Sequence, residues 1–245
     1  MPELVKKNLY MFDHLNRCSA LSRVDKKTLT QLWLSGRVRK YSKGETILHA
    51  KESLSNIYFL LSGKAIQYNL THFGKRKILF VFGEGNLLND HVFDSHLSSI
   101  YCEALEECLV FSLPKDDFVK LMERNFSLVQ GVMMDQEKKF WRLSHQLKNT
   151  VGNIYMERKL AAKLWKLARD FGIETEDGIE IDINMSMSFL ADMLGTPRET
   201  ASRLCKSLKS YGLIRQEKKH IIVCDKDRLS YFYKTGEIPE KNYPD

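Results

Sequence analysis

No stretch of the 245-residue chain approaches the run of roughly 20 apolar side chains that a membrane-spanning helix needs. The opening residues, Met1-Pro2-Glu3-Leu4-Val5-Lys6-Lys7, lack the apolar core and small-residue cleavage site of a secretion signal. The five cysteines (Cys18, Cys102, Cys108, Cys205 and Cys224) are scattered and odd in number, and no pair has CxxC spacing. That pattern argues against a structural zinc or disulfide framework and points to reduced thiols in the cytoplasm. Walker loop, zinc motif, nucleophile elbow and paired carboxylates are all missing, and Gly83-Glu84-Gly85 is too short for a dinucleotide fingerprint. An enzyme is therefore not expected. One further gap is local. Between Lys77 and Lys115 there is no Lys or Arg, whereas Glu84, Asp90, Asp94, Glu103, Glu106 and Glu107 all fall there.

Elsewhere the chain is basic, with a formal charge of +7 and a pI near 9.0. Its cations cluster: Arg198, Arg203, Lys206, Lys209, Arg215, Lys218 and Lys219 face only Glu199 and Glu217 over residues 198–219. Such a patch is the electrostatic footprint of a phosphate backbone. Within it the local pattern is specific. Ser188 to Leu194 reads as a short amphipathic helix ended by Gly195. Thr196 is a helix N-cap and Pro197 suits the first helical position. From there Ala201, Leu204 and Leu208 form a core-facing stripe, and Arg198, Glu199, Ser202 and Arg203 lie towards the other side. Arg can pair with guanine O6 and N7, Glu can accept from cytosine N4, and Thr200 and Ser202 can reach phosphates or thymine. Helix, glycine turn and second helix make a helix-turn-helix, whose second member enters the major groove. The competing reading is a solvated helix face. Tyr211 to Arg215 and His220 to Val223 read as two strands joined by a turn at Gln216–Lys219, which is a wing.

Upstream, residues 20–114 read mainly as short strands with regular turns. Examples are Ile57 to Ser62 closed by Gly63, Ala65 to Leu70, Ile78 to Phe82, Ile100 to Ala104 and Cys108 to Leu113. Many short strands of this kind predict a barrel or jelly roll. Lys115 to Met122 predicts a short helix. Phe126, Val129, Met133, Gln136, Phe140, Leu143 and Leu147 then recur with alternating spacings of three and four, a heptad seam. The seam either packs on its own strand domain or joins a second copy, with Gln136 setting register. The two-fold symmetry of DNA half-sites favours the second copy. Asn149 to Asn153 is a hinge candidate, Ile154 to Phe171 another amphipathic helix, and Gly172 to Asp182 a loop plus strand. The expected architecture is α+β: an N-terminal jelly-roll or double-stranded β-helix barrel over 1–115, a dimerisation helix over 116–150, and a winged helix-turn-helix over 151–245.

This arrangement resembles the CRP/FNR family of bacterial transcription regulators over nearly the whole chain. The matching residues are Lys43-Gly44-Glu45, Tyr58-Phe59-Leu60-Leu61-Ser62-Gly63, Gly74-Lys75, Gly85 and above all Arg198-Glu199-Thr200-Ala201-Ser202-Arg203. The resemblance implies that Arg198, Glu199 and Arg203 contact bases, that Ser202 contacts a base or the backbone, and that Thr200, Ser186 and Ser188 face phosphates. It implies a homodimer on a palindromic duplex, with RNA polymerase as a further partner and no membrane. It also implies an effector pocket over Leu87, Leu88, Asn89, Asp90, Ser98, Ser99 and Tyr101.

In the cyclic-nucleotide binders of the family a Gly-Glu pair holds ribose, and an Arg-Ser or Arg-Thr pair holds the cyclic phosphate. Here those places read Asn89-Asp90 and Ser98-Ser99. An acidic pocket without a guanidinium repels phosphate, so cyclic AMP is not expected. The iron–sulfur branch needs clustered N-terminal cysteines, and only Cys18 lies there, so a cluster is not expected either. In the haem branch a histidine follows the pocket glycine at about the distance of His91 from Gly85, and an N-terminal proline, here Pro2, is the opposite ligand. A solvated loop histidine is the competing reading. What remains is an unidentified small effector, mostly apolar or neutral, against Phe82, Leu87, Leu88 and Tyr101. Two alternatives stay open: a haem- or redox-sensing regulator of this architecture, and a ligand-binding module whose C-terminal domain binds protein. In the effector-gated reading, occupancy of the barrel would favour one arrangement of two long helices and set the recognition helices about 34 Å apart.

Overall fold

Short apolar alternations separated by turns build most of the first half of the chain. In the computed structural model, which describes residues 12–93, 96–148 and 156–238, the backbone divides into two compact units. The first takes residues 1–74 and 78–144, the second residues 75–77 and 145–245.

The first unit holds seven strands: β1 (Arg37–Tyr41), β2 (Thr46–Leu48), β3 (Asn56–Ser62), β4 (Ala65–Leu70), β5 (Arg76–Phe82), β6 (Tyr101–Ala104) and β7 (Cys108–Pro114). They form two antiparallel sheets, ordered β1-β7-β3 and β2-β6-β4-β5, the expected jelly-roll class. Register places Phe59 opposite Phe111 and Ile57 opposite Leu113. Leu60, Phe80, Phe82, Leu88, Cys102 and Val110 fill the space between the sheets. A second apolar cluster lies outside them, where Phe59, Phe111 and Leu113 meet Leu15, Leu21, Leu29 and Leu32.

One helix precedes this framework and two follow it. α1 (Lys26–Ser35) was not legible as a helix, because residues 20–114 read mainly as strands. Its signal was Asp25, whose carboxylate accepts from Thr28 N at 3.0 Å and caps the first turn. Trp33 of this helix stacks on Phe111 at 5.4 Å. α2 (Lys115–Arg124) extends the expected short helix by two residues, and α3 (Phe126–Lys148) carries the heptad repeat. Asn125 Oδ1 accepts from Leu128 N at 3.0 Å at the entry to α3. One face of α3 buries Leu128 and Val132 in the outer cluster. The hinge candidate Asn149 to Asn153 lies outside the described residues.

The second unit contains α4 (Met156–Phe171), β8 (Gly172–Thr175), β9 (Gly178–Ile181), α5 (Met187–Leu194), α6 (Arg198–Ser210), β10 (Ile214–Glu217), β11 (His220–Val223) and α7 (Lys226–Thr235). Leu160, Leu164 and Ala168 form the buried stripe of α4. The sheet order is β10-β11-β9-β8. Residues 172–182 therefore supply a hairpin, β8 with β9, instead of a loop and one strand. The wing turn is also tighter than expected: Glu217 pairs with His220, leaving only Lys218 and Lys219 at the tip. α7 went unread in the sequence; Asp225 caps it, accepting from Asp227 N and Arg228 N. It packs on α4 through Trp165 and Tyr233 at 5.9 Å.

Gly131 sits mid-helix in α3, where alanine would ordinarily gain about 1 kcal/mol of helix propensity. A Cβ there would stand 2.0 Å from the carbonyl oxygen of Ala20. Close approach of two backbones, not flexibility, is why glycine occupies the position. Gly131→Ala is expected to lower the melting temperature, with overpacking of about 1–3 kcal/mol outweighing the propensity gain. A variant melting above the parent protein would contradict this packing.

Candidate nucleic-acid interface

The helix-turn-helix is built from caps and one left-handed residue. Ser186 Oγ accepts from Phe189 N at 3.1 Å and opens α5. α5 closes at Gly195, with φ at 74° and its N–H donated to Ala191 O at 2.7 Å. Only glycine adopts that conformation without strain. The start of α6 corrects the expected cap. Pro197 holds the cap position, with φ −58° and ψ 153°, and its carbonyl accepts from Ala201 N at 3.1 Å. The helix begins at Arg198, one residue later than the reading that placed Pro197 inside it. Thr196 Oγ1 is buried without a hydrogen-bond partner, so it caps nothing. The cause is local: the ring of Pro197 disfavours helical backbone at Thr196, and Pro197 itself stays extended.

α6 has two faces. Ala201, Leu204, Cys205 and Leu208 are buried. Arg198, Glu199, Arg203 and Lys206 are exposed, and Thr200 and Ser202 are half-buried beside them. No ion pair ties Arg198, Glu199 or Arg203 to a described residue. Ser188 is exposed on the first turn of α5, and Ser186, half-buried, still has a hydroxyl proton to donate while its oxygen serves as the cap. In the wing, Lys218 takes a positive φ of 55° and both tip lysines are exposed. Not every cation of the patch is available. Arg215 pairs with Asp177 on the β8–β9 hairpin, and His220 Nδ1 lies 2.8 Å from Glu180. A rigid scaffold thus carries a set of uncompensated donors on one helix face and at one hairpin tip.

In the first unit the expected pocket residues do converge, but chiefly on one another. Leu87, Leu88 and Asn89 are fully buried. Asn89 Oδ1 accepts from Tyr58 N at 2.8 Å, and its Nδ2 donates to Asn56 O at 2.9 Å. Asp90 accepts from Ser99 N at 2.9 Å and Ser99 Oγ at 3.1 Å and lies 2.9 Å from His91 Nδ1. Ser98 is buried, its hydroxyl donating to Ile100 O at 3.1 Å. Tyr101 stacks on Tyr68 at 5.2 Å. His91 Nε2 is buried without a hydrogen-bond partner, and Pro2 and Asp94 lie outside the described residues.

Sequence reasoning missed Lys139. This α3 side chain is only 8% exposed. Its ammonium donates to Leu87 O at 2.7 Å and Asn89 O at 3.2 Å, and sits 3.1 Å from Asp135 Oδ2. Burial pushes its pKa below the usual lysine range, and Asp135 opposes that shift. The cation missing from residues 78–114 is therefore brought to them by a helix. The same packing revises two members of the heptad seam. Gln136 Nε2 reaches towards Asn89 O at 3.5 Å, and Val129 leans on the outer apolar cluster. Phe126, Met133, Phe140, Leu143 and Leu147 remain exposed, the largest values being 73% for Phe140 and 72% for Phe126. Trp141, which the repeat did not include, joins them.

Cys18, Cys102, Cys108 and Cys205 are buried and Cys224 is half-buried. Burial pushes the Cys18 thiol up to about 12 and those of Cys108 and Cys205 to about 11, and raises Cys102 and Cys224 as well. Thiolate, the reactive form, is scarce at all five near neutrality. Among the described residues no three His, Cys, Asp or Glu side chains group as metal ligands, and no helix is long and apolar enough to cross a membrane.

Residues 158–232 match the Crp-like helix-turn-helix domain, and residues 38–125 match the cyclic nucleotide-binding domain. The HTH-type transcriptional regulator ArcR of Staphylococcus aureus is 26% identical over 196 residues, covering 76% of this chain and 79% of its own length. Among solved structures, a variant of CooA from Carboxydothermus hydrogenoformans aligns with a TM-score of 0.69 at 20% identity, over 83% of this chain and 90% of that one. CLP of Xanthomonas campestris, described as a c-di-GMP responsive global regulator, aligns with a TM-score of 0.72 at 16% identity, over 82% of this chain and 100% of its own.

Alkylation tests the thiol environments. Native protein treated with iodoacetamide near pH 7.5 is expected to be modified first at Cys224, with Cys18, Cys102, Cys108 and Cys205 reacting only on unfolding. Rapid labelling of any of those four would overturn the burial described here.

Proposed function

The chain belongs to the CRP/FNR family of transcription regulators, and from that premise we propose that a homodimer reads a palindromic DNA site with the first turns of two α6 helices. Arg198, Glu199 and Arg203 contact base edges, Ser202 a base or the backbone, and Thr200, Ser186 and Ser188 the phosphates. One observation carries this reading: Arg198, Glu199 and Arg203 stand exposed, with no ion pair to a described residue, at the start of a helix whose opposite face is buried. A solvated surface helix of no particular role ordinarily offsets its arginines with nearby carboxylates, as Arg215 is offset by Asp177. Lys206, Lys218 and Lys219 supply the non-specific phosphate attraction.

The second copy joins along α3, where Phe126, Met133, Phe140, Trp141 and Leu147 form an exposed apolar stripe. Leaving such a stripe in water forfeits about 25 cal/mol per Å² of apolar surface that a partner would cover. RNA polymerase is the further partner and the cytoplasm the compartment. The protein acts by binding, not by catalysing a reaction.

The sensing unit responds to a small effector that is neither cyclic AMP nor an iron–sulfur cluster. What supports the first exclusion is the place of the phosphate ligands, which reads Ser98-Ser99 here and faces the Asp90 carboxylate, with no guanidinium among residues 78–114. What supports the second is the scatter of the buried thiols. The haem alternative keeps one supporting feature: His91 pairs with Asp90 through Nδ1 and leaves its buried Nε2 without a hydrogen-bond partner, as a metal-ligating histidine does.

Two measurements test this reading. In a gel shift on a selected palindrome, Arg203→Ala and Glu199→Ala should each lose about 1–3 kcal/mol of discrimination against mismatched sites. Lys218→Ala with Lys219→Ala should weaken all sequences alike and reduce the slope of log affinity against log salt by about 2. Retained specificity in both α6 variants would contradict the base contacts. For the seam, Phe140→Glu should yield a monomer by sedimentation velocity, and a dimer in that variant would contradict it.

A further inference from the structure

The β8–β9 hairpin stands beside the wing and carries the opposite charge. Residues 172–181 include Glu174, Glu176, Asp177 and Glu180 and no lysine or arginine. The sheet fixes this hairpin in place. β9 pairs with β11, with Ile222 opposite Glu180 and Val223 opposite Ile179, and β11 also pairs with β10 of the wing. Arg215 lies opposite Ile222, so Arg215, Ile222 and Glu180 share one face of the sheet. Gly178 secures the turn that holds Asp177. Its φ is 125°, and a Cβ there would stand 2.3 Å from Val223 O.

Two contacts between cation and carboxylate cross from one hairpin to the other. A guanidinium N–H of Arg215 donates to a carboxylate oxygen of Asp177. His220 Nδ1 repeats the arrangement at 2.8 Å from Glu180 Oε1. The Arg215 and Asp177 side chains remain 56% and 57% exposed, and a pair so open to solvent adds little to fold stability. Its larger consequence is for charge. Carboxylate and phosphate are rival acceptors for the same guanidinium donors. An arginine already offset by a carboxylate draws a phosphate less strongly and releases fewer counterions when one binds. Lys218 and Lys219, exposed at the tip of the same wing, have no ion pair with a described residue.

We propose that Asp177 is an intramolecular competitor for DNA phosphate: it holds Arg215 on the β8–β9 hairpin, and the protein grips any duplex less tightly than the charge of its wing would allow. This inference rests on the DNA-binding role proposed above. Non-specific binding is essentially a matter of phosphate charge, and a genome offers a large excess of non-specific sites. A restraint on the wing weakens the hold of those sites while α6 keeps its base contacts.

The test measures binding of the full-length protein to a labelled random-sequence duplex by fluorescence anisotropy, between about 50 and 200 mM NaCl. Asp177→Asn keeps the side-chain shape and suits a turn before glycine, so the hairpin is retained. It should tighten binding about three- to tenfold at the low-salt end and steepen the slope of log affinity against log salt by about 1. In an Arg215→Ala background the same substitution should change affinity by less than about twofold, because the cation it would release is absent. Glu174→Gln removes an equal charge from β8, the sheet edge away from the wing, and should also stay within about twofold. An unchanged slope in Asp177→Asn, an equal gain in the Arg215→Ala background, or an equal gain from Glu174→Gln would each overturn the proposal. A selected palindrome measured on the same samples separates the failures. If the parent protein prefers it while Asp177→Asn binds like the parent, only the role of Asp177 is wrong; if the parent shows no salt-dependent duplex binding, the function proposed above is wrong too.

Discussion

A 13-residue helix cannot bury Ala201, Leu204, Cys205 and Leu208 without turning Arg198, Glu199, Arg203 and Lys206 the other way. That geometric constraint underlies the account of the second unit. The apolar stripe fixes the helix on its scaffold, and the scaffold then holds the polar face still, with its donors unspent. Gly195 sets the direction of entry, since a left-handed residue closes α5 and lets the chain re-enter as α6 at Arg198. The wing adds Lys218 and Lys219 on a two-residue tip. Arg215 and His220, although in the same hairpin, are tied to Asp177 and Glu180, so the functional patch is narrower than its cation count.

The first unit is organised by a buried charge. Lys139 crosses from α3 to the backbone of Leu87 and Asn89, and Asp135 links the same helix to Ser19. A buried ion pair contributes little net stability, but breaking one partner leaves an uncompensated charge, so such pairs fix register. Around it, Asp90 is held by Ser98 and Ser99, and Asn89 by the backbone of Tyr58 and Asn56. The loop that the family resemblance marks as an effector pocket is here a closed hydrogen-bonded cluster latched to the seam helix. An effector acting through it has a defined structure to disturb.

Much of this was legible in the residues. Strand alternation, the Gly195 turn and the α6 stripe each follow from a short-range rule, and each appears at the expected place. What escaped notice was tertiary or short. α1 and α7 are ten residues each and announce themselves only through capping aspartates, Asp25 and Asp225. The β8–β9 hairpin did carry a turn signal, Asp177-Gly178, which the reading of a loop and one strand passed over. The Thr196 cap failed because a proline beside it shifted the start of the helix. Lys139 was invisible in principle: it lies 50 and 52 residues from the carbonyls it serves, and nothing local marks a lysine as buried. The same long-range contact draws Gln136 from the seam to the loop.

The central claim is that two copies of α6 read duplex DNA as a two-fold pair. Selection of binding sites from a random duplex pool with the purified protein tests it most directly. The account predicts enrichment of an inverted repeat whose half-sites are centred about 10 base pairs apart or a multiple of that. Enrichment of an isolated half-site, or no enrichment above the starting pool, would contradict it.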